Sequence, residues 1–362
     1  MAATRSAEGV MPATASGRAV AGLPADNIRL DWTMALISCA IVFGLYIDGW
    51  AHNHGFVDDS FFTPWHALLY GAVGLSGLVL IAHHFRNVNR GFRWSKALPA
   101  GYTLSLIGFF AFGAGGVVDM LWHESFGFEE GIEALISPSH LFLALTGLLI
   151  MTGPIRALWQ RESDDSWASL APAILCFICT TSVFTFFNAF AAIAGDMIIL
   201  TGPRPVPHSL QDVAGIVAFI IQSNILLGAV LFMTRRWRLP FGAISLLFIL
   251  NSLLMTWYRV GEAGEFIFAF SAALVGLLGD YLLSGSMPIE TGRLRLAAFL
   301  LPFAHSLGAM VTLHILGNSV WNTGGLWWLI HMWLGVPVLA GAFGYGLSMI
   351  MRQPALPAGK ST

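Results

Sequence analysis

The sequence predicts an all-α membrane protein, a polytopic bundle of about ten transmembrane helices. Hydrophobic residues make up 56% of the 362 residues and charged residues only 10%, whereas soluble domains carry roughly 25% charged residues. The apolar stretches are also long and continuous, close to the ~20 residues that a spanning helix needs. They lack the alternation that is typical of membrane barrels. A soluble globular protein is therefore excluded.

Ten segments are apolar and long enough to be spanning helices. In chain order we predict them over 33–50, 65–85, 97–122, 138–159, 168–194, 208–234, 239–258, 263–284, 294–317 and 326–351. Pairing each helix with the next gives five hairpins within a transmembrane domain over 31–352. Residues 1–30, which are rich in Ala, Gly and Ser, are predicted to be a disordered tail, and 353–362 a second short tail.

The distribution of basic residues predicts the orientation of the bundle. If the N-terminus is cytoplasmic, all 18 Lys and Arg residues except Arg204 and Arg259 lie on the cytoplasmic side. This asymmetry is the one that the positive-inside rule requires. We therefore expect a multi-pass protein of the cell (inner) membrane, with both termini cytoplasmic and all five hairpin turns at the outer face.

Two of these turns carry the same pattern of metal-binding side chains. An Asp and a His four residues apart end the outgoing helix, and a second His follows a Pro near the start of the returning helix. The first set is Asp48, His52 and His66, and the second set is Asp119, His123 and His140. Residues four apart share one helical face, and ionisable groups inside a membrane are costly and usually functional. Each turn is therefore predicted to supply two imidazoles and one carboxylate to a transition metal, which leaves coordination positions open. The six ligands could form two separate sites or one dinuclear centre.

Local structure offers a second interpretation of each set taken alone. An Asp/His pair can be a local hydrogen bond, and a His after Pro can cap a helix in the headgroup region. Pro64 and Pro138 suit the first turn of a helix, where proline loses no hydrogen bond. His54 lies close enough to replace His52 as a ligand. The duplication of the whole trio favours the metal site.

Weaker copies of the pattern follow later in the chain. The third hairpin, 168–234, has His208 at the start of its returning helix, and the fifth, 294–351, has Asn318 in the Asp position and His331 at the return. The hairpins would then be parallel internal repeats. His208, His331 and His314, which lies near the outer end of the ninth helix, are candidate additional ligands. Cys176 and Cys179 are spaced like a metal pair, but inside a membrane helix they are expected to be packing residues.

Other function classes follow from the same residues. A metal or proton transporter or sensor would use the acidic outer loop, with Glu124, Glu129, Glu130 and Glu133, as an entry. No charged ladder links the two faces, which favours a one-sided site. A haem protein would need facing His pairs at depth, whereas these His residues cluster at helix ends. Walker-type loops, nucleotide fingerprints and basic patches for nucleic acid are absent from the sequence.

Asp48-x3-His52-x13-His66 resembles the turn motif of one known family. The C subunit of the copper membrane monooxygenases, the particulate methane and ammonia monooxygenases, has an Asp-x3-His followed by a His on a helix hairpin, and a related Asn-x3-His set. Asp119-x3-His123-x16-His140 has a longer gap, and the resemblance covers two hairpins of a longer chain. The resemblance implies copper and oxygen activation for attack on a small apolar or lipid substrate, whereas the ligand set alone also suits iron or zinc. Because the family subunit works in a complex, the resemblance also implies partner subunits; a homo-oligomer is the alternative.

Overall fold

The computed structural model of the protein describes residues 22–56, 62–127, 129, 131–191, 209–259, 263–285, 287, 289–319 and 322–351. These residues form helices and connecting turns, and no strand occurs among them. The helices are α1 (Ile28–Asn53), α2 (Pro64–Asn89), α3 (Thr103–Phe126), α4 (Ile132–Ile136), α5 (Pro138–Met151), α6 (Gly153–Trp159), α7 (Trp167–Phe187), α8 (Ser209–Thr234), α9 (Ala243–Arg259), α10 (Ile267–Leu283), α11 (Thr291–Ser319) and α12 (Ile330–Met351). The prediction of an all-α fold is confirmed.

Eight of the described helices are long and apolar enough to cross a membrane, and a ninth span results if α5 and α6 count as one. The protein is thus a multi-pass membrane protein in contact with a lipid bilayer. The span predicted over 138–159 is present as α5 and α6, between which the chain bends by 43°. Pro154, in the first turn of α6, has no backbone N–H and cannot continue the preceding helix. The segment over 239–258 corresponds to α9, which has only 17 residues.

Sequence neighbours pair in most of the bundle. Helix α1 packs against α2, α3 against α5, α9 against α10 and α11 against α12. The remaining pair, α7 and α8, is looser, because α7 packs mainly against α1, whereas α8 packs mainly against α12 and α11. One hydrophobic core joins the first half of the bundle to the end of α9, and it includes the fully buried Tyr46 and Tyr102.

Glycines bring the helices of the first two pairs close together. A Cβ on Gly44 in α1 would lie 2.8 Å from the Cα of Leu69 in α2. A Cβ on Gly108 in α3 would lie 2.9 Å from the carbonyl oxygen of Thr146 in α5. Small residues at such crossings let two backbones approach within a membrane. Side chains at the neighbouring ends of these helices can therefore reach one another.

The returning helices begin where the sequence predicts. Helix α2 begins at Pro64, and the hydroxyl of Thr63 accepts a hydrogen bond from the backbone N–H of His66. Helix α5 begins at Pro138. The predicted role of both prolines in a first helical turn is thus confirmed, and His66 and His140 lie on the first turn of their helices, beside the ends of α1 and α3.

Candidate metal centres

The first Asp/His trio lies where α1 ends and α2 begins. Nε2 of His66 is 3.2 Å from Oδ1 of Asp48, and their side chains are 12% and 18% exposed. His52, one turn beyond Asp48 on α1, is exposed. One ligand atom from each of the three side chains lies within 4.8 Å of the other two. The structure therefore brings this predicted set together in a partly solvated position.

The second trio lies where α3 ends and α5 begins, and it is more deeply buried. Asp119 is 3% exposed and His123 is 7% exposed. Oδ1 of Asp119 lies 3.6 Å from Nε2 of His123 and 3.3 Å from Nε2 of His140. The ligand atoms of this set also lie within 4.8 Å of one another. Both imidazoles thus converge on a single carboxylate oxygen.

These distances are compatible with ligands that share one ion. The separation of 3.6 Å is long for a hydrogen bond, and 3.2–3.3 Å lies at the upper limit of the usual N–H···O range. Two ligand atoms bound at about 2.0–2.2 Å to one tetrahedral ion are about 3.3–3.6 Å apart. The separations of 3.2, 3.3 and 3.6 Å lie in or next to this range for shared ligands. The geometry of both trios is therefore that of groups that could hold a transition metal.

The outer nitrogens of the second trio show which ring atoms face the carboxylate. Nδ1 of His140 lies 2.7 Å from the carbonyl oxygen of Ala134, a contact that requires the proton on Nδ1. In the neutral ring Nε2 then carries a lone pair, and that lone pair faces the anionic oxygen of Asp119. Within the described residues this buried oxygen has no hydrogen-bond partner of normal geometry. A cation between these acceptors would satisfy them, and a metal ion can do so without protonating either ring.

Glu129 is the residue at this site that the sequence did not identify. Its Oε2 lies 3.1 Å from Nδ1 of His123, and its side chain is 12% exposed. In the sequence Glu129 is one of several acids of the predicted outer loop. A carboxylate on the outer nitrogen of a ligating imidazole fixes the ring and raises its basicity. The sequence signal was an acid six residues after His123, in a loop short enough to fold back.

Both trios line one cavity of ≈ 660 Å³. The polar residues on its wall lie at the ends of α1, α3 and α9, at the starts of α2 and α5, and in the loop that carries Glu129. Tyr70 of α2 lines the same cavity, with its ring 6.4 Å from that of His66 and 5.5 Å from that of Phe112. Most of the remaining wall is aliphatic or aromatic. The two candidate centres therefore open into a shared, mainly apolar space.

The candidate additional ligands that the structure describes do not join these groups. His314 is exposed on α11, hydrogen-bonds with Asn318 and packs edge-on against Trp333. His331 is exposed on α12. His54, the alternative to His52, has Nδ1 2.8 Å from the carbonyl oxygen of Trp50 and stacks on that indole ring. His208 lies outside the described residues.

Comparisons with models of protein families, with curated proteins and with solved structures found no match.

Proposed function

We propose that this protein is a membrane metalloprotein whose two Asp/His trios bind transition-metal ions at the outer face. The five hairpins would turn outward, with both termini in the cytoplasm of an inner-membrane protein, as the basic residues predict. Copper is favoured by the resemblance of the first motif to the copper membrane monooxygenases, and iron and zinc suit the same ligands. Partner subunits or a second copy of the chain would complete the assembly.

The proposed activity is that of an oxidoreductase of the monooxygenase type, acting on a small apolar or lipid substrate. One oxygen atom of dioxygen would enter a C–H bond, and the other would leave as water after uptake of two electrons and two protons. A membrane quinol, which carries two of each, is the class of donor proposed. The metal would supply the redox chemistry. Asp48, Asp119 and the four imidazoles would hold it, and the apolar wall would exclude water.

The observation that carries this proposal is the shared cavity. Metal ligands that serve only a structural role are normally closed off by the fold, whereas a catalytic metal keeps an open position beside a substrate space. Both trios line a cavity of ≈ 660 Å³, within the usual range of ligand pockets, and its mainly apolar lining with a few convergent polar groups is typical of such pockets.

The experiment is oxygen incorporation by purified protein in lipid nanodiscs, loaded with copper and supplied with a quinol and a linear alkane. We expect isotopically labelled dioxygen to give a labelled alcohol, and a His123→Ala, His140→Ala variant to lose this product. The matched control is a His83→Ala, His84→Ala variant, which removes two imidazoles at the other end of α2. Fully copper-loaded protein that forms no labelled product with quinol present would contradict the proposed activity.

A second observation favours a transporter or sensor as the alternative. A smaller pocket of ≈ 30 Å³ lies between α8, α9, α10 and α11, and its polar lining includes Gln222, Asn251, Thr256 and His305. Asn251 donates a hydrogen bond to Thr185 of α7, and Thr185 lies 3.4 Å from the hydroxyl of Tyr46. A polar route into the bundle would serve ion movement. Metal- or proton-driven flux into liposomes that the His123→Ala, His140→Ala variant abolishes would support this alternative over oxygenation.

A further inference from the structure

The wall of the shared cavity changes from polar to apolar along the helices. Its polar members lie within the last or first turns of their helices, as Asp119 and His140 do. Deeper in the bundle the lining consists of Ile41 from α1, Phe112 from α3 and Met151 from α5, with Val183 from α7. The cavity therefore has a metal-binding mouth and a purely apolar floor.

Three helices give the same depth for this floor. His52 and Ile41 are eleven residues apart on α1, His123 and Phe112 eleven apart on α3, and Met151 lies eleven residues beyond His140 on α5. At 1.5 Å per residue, eleven residues of helix span about 16 Å. On α1, α3 and α5 the lining of the cavity thus extends about 16 Å from the trios into the bundle, and we call this elongated space the shaft.

The length and polarity of the shaft match one kind of occupant. The hydrocarbon core of a bilayer is about 30 Å thick, so one leaflet of chains is about 15 Å deep. The trios lie near helix ends; if these ends mark the start of the lipid headgroups, the apolar floor lies about one leaflet deeper. We infer that the shaft binds a single extended hydrocarbon chain, with its polar or reactive end at the Asp/His trios and its methyl end against Met151.

This inference rests on the proposed metal function and specifies its substrate class as long-chain alkyl or acyl compounds. The chain can come from a free alcohol or fatty acid, or from the tail of a membrane lipid. Both sources share the chemistry that the shaft recognises, namely apolar contact along its length and polar groups only at one end. A small spherical substrate would leave most of this length unused.

Gly147 of α5 provides the test, because it lines the shaft between mouth and floor. A Cβ at this position would meet only Phe112, at 3.7 Å, which is ordinary van der Waals contact. A Cβ therefore fits here, and the larger side chain of Gly147→Leu is expected to occupy the lower part of the shaft; the thermal midpoint of this variant is measured beside its labelling. Gly113 of α3 is the matched control, because it is exposed, and a Cβ there meets nothing within 4 Å. Met151→Ala has the opposite effect and deepens the floor.

The experiment is photolabelling in nanodiscs with alkanols that carry a diazirine at the methyl end, from hexanol to hexadecanol. We expect dodecanol, whose extended length is comparable with the shaft, to label the floor residues in the wild-type protein and in Gly113→Leu. Gly147→Leu should reduce this labelling at least about ten-fold, because each excluded methylene forfeits burial, while hexanol labelling near the mouth persists. Met151→Ala should shift the preferred length upward.

A phosphatidylcholine with the same diazirine on its acyl chain distinguishes the two sources of the chain. Floor labelling by this lipid identifies a lipid tail as an occupant, and labelling by the alkanols alone identifies a free chain. Dodecanol labelling that Gly147→Leu leaves unchanged, or that is equal on the exposed Leu145 and on the floor, would overturn the inference. Metal content is measured on the same samples. Normal metal with no floor labelling refutes the chain-binding shaft alone, and floor labelling without metal refutes the metal function alone.

Discussion

Glu129→Gln gives a quantitative test of how the second trio is organised. The carboxylate of Glu129 lies 3.1 Å from Nδ1 of His123 and is largely screened from solvent. Removing its charge should leave the fold intact but loosen the orientation of the imidazole and lower its basicity. Loss of such an outer partner typically costs 10–100-fold in metal affinity, which corresponds to about 1.4–2.7 kcal/mol.

The assay is competition between the protein and a chromophoric chelator for Zn²⁺, an ion without redox chemistry. A His52→Ala, His66→Ala background confines binding to the second trio. In this background we expect Glu129→Gln to weaken Zn²⁺ binding at least about ten-fold. Glu133→Gln is the control, because Glu133 is an exposed acid of the same loop region and belongs to neither trio.

A double-mutant cycle shows whether the effect passes through His123. If Glu129 acts by orienting this ring, Glu129→Gln should add no further loss once His123 is replaced by Ala. If Glu129→Gln leaves the Zn²⁺ affinity unchanged, Glu129 does not support His123 as a metal ligand. An equal loss in the presence and absence of His123 would show that Glu129 acts through the general charge of the cavity instead.

Three other predictions concern the fold. Asp280→Ala removes the carboxylate that accepts hydrogen bonds from two backbone N–H groups at the start of α9. It should lower the free energy of unfolding by about 2–4 kcal/mol, measured as a lower thermal midpoint in detergent, and Asp280→Asn should lower it less. Gly101→Ala should lower the free energy of unfolding by more than about 2 kcal/mol, because φ is +91° and a Cβ would lie 2.5 Å from a backbone nitrogen of α6. A thermal midpoint equal to that of the wild type would contradict this. The sulfurs of Cys39 and Cys179 are 3.7 Å apart. Oxidation by copper phenanthroline should therefore form a disulfide between α1 and α7 in Cys176→Ser but not in Cys179→Ser. An unchanged fragment pattern after proteolysis of oxidised Cys176→Ser would contradict this prediction.

Local features of the site could be predicted from the sequence. Asp119 and His123 are one helical turn apart, and a Pro-started return helix places His140 beside them, so nearest-neighbour geometry was sufficient. The same reasoning holds for Asp48, His52 and His66. The break after Met151 was also readable in principle, because Pro154 follows it within a few residues.

Features of the site that depend on packing between distant helices could not be predicted from the sequence. The shared cavity exists because α1, α3, α5 and α7 meet around one space, and no spacing within a single helix encodes that meeting. The contact of Glu129 with His123 depends on how the loop after α3 folds back, which hydropathy does not report. The isolation of His314 and His331 follows from the packing of α11 and α12 on α8 rather than on the first half of the bundle.

Elemental analysis of the purified protein shows whether the Asp/His trios hold metal ions. Purified wild-type protein and the His123→Ala, His140→Ala variant are loaded with copper, dialysed and compared with the His83→Ala, His84→Ala control. If each trio binds one ion, the His123→Ala, His140→Ala variant should lose about one ion per chain, and the control should retain the wild-type content. Equal metal content in all three proteins would contradict this expectation.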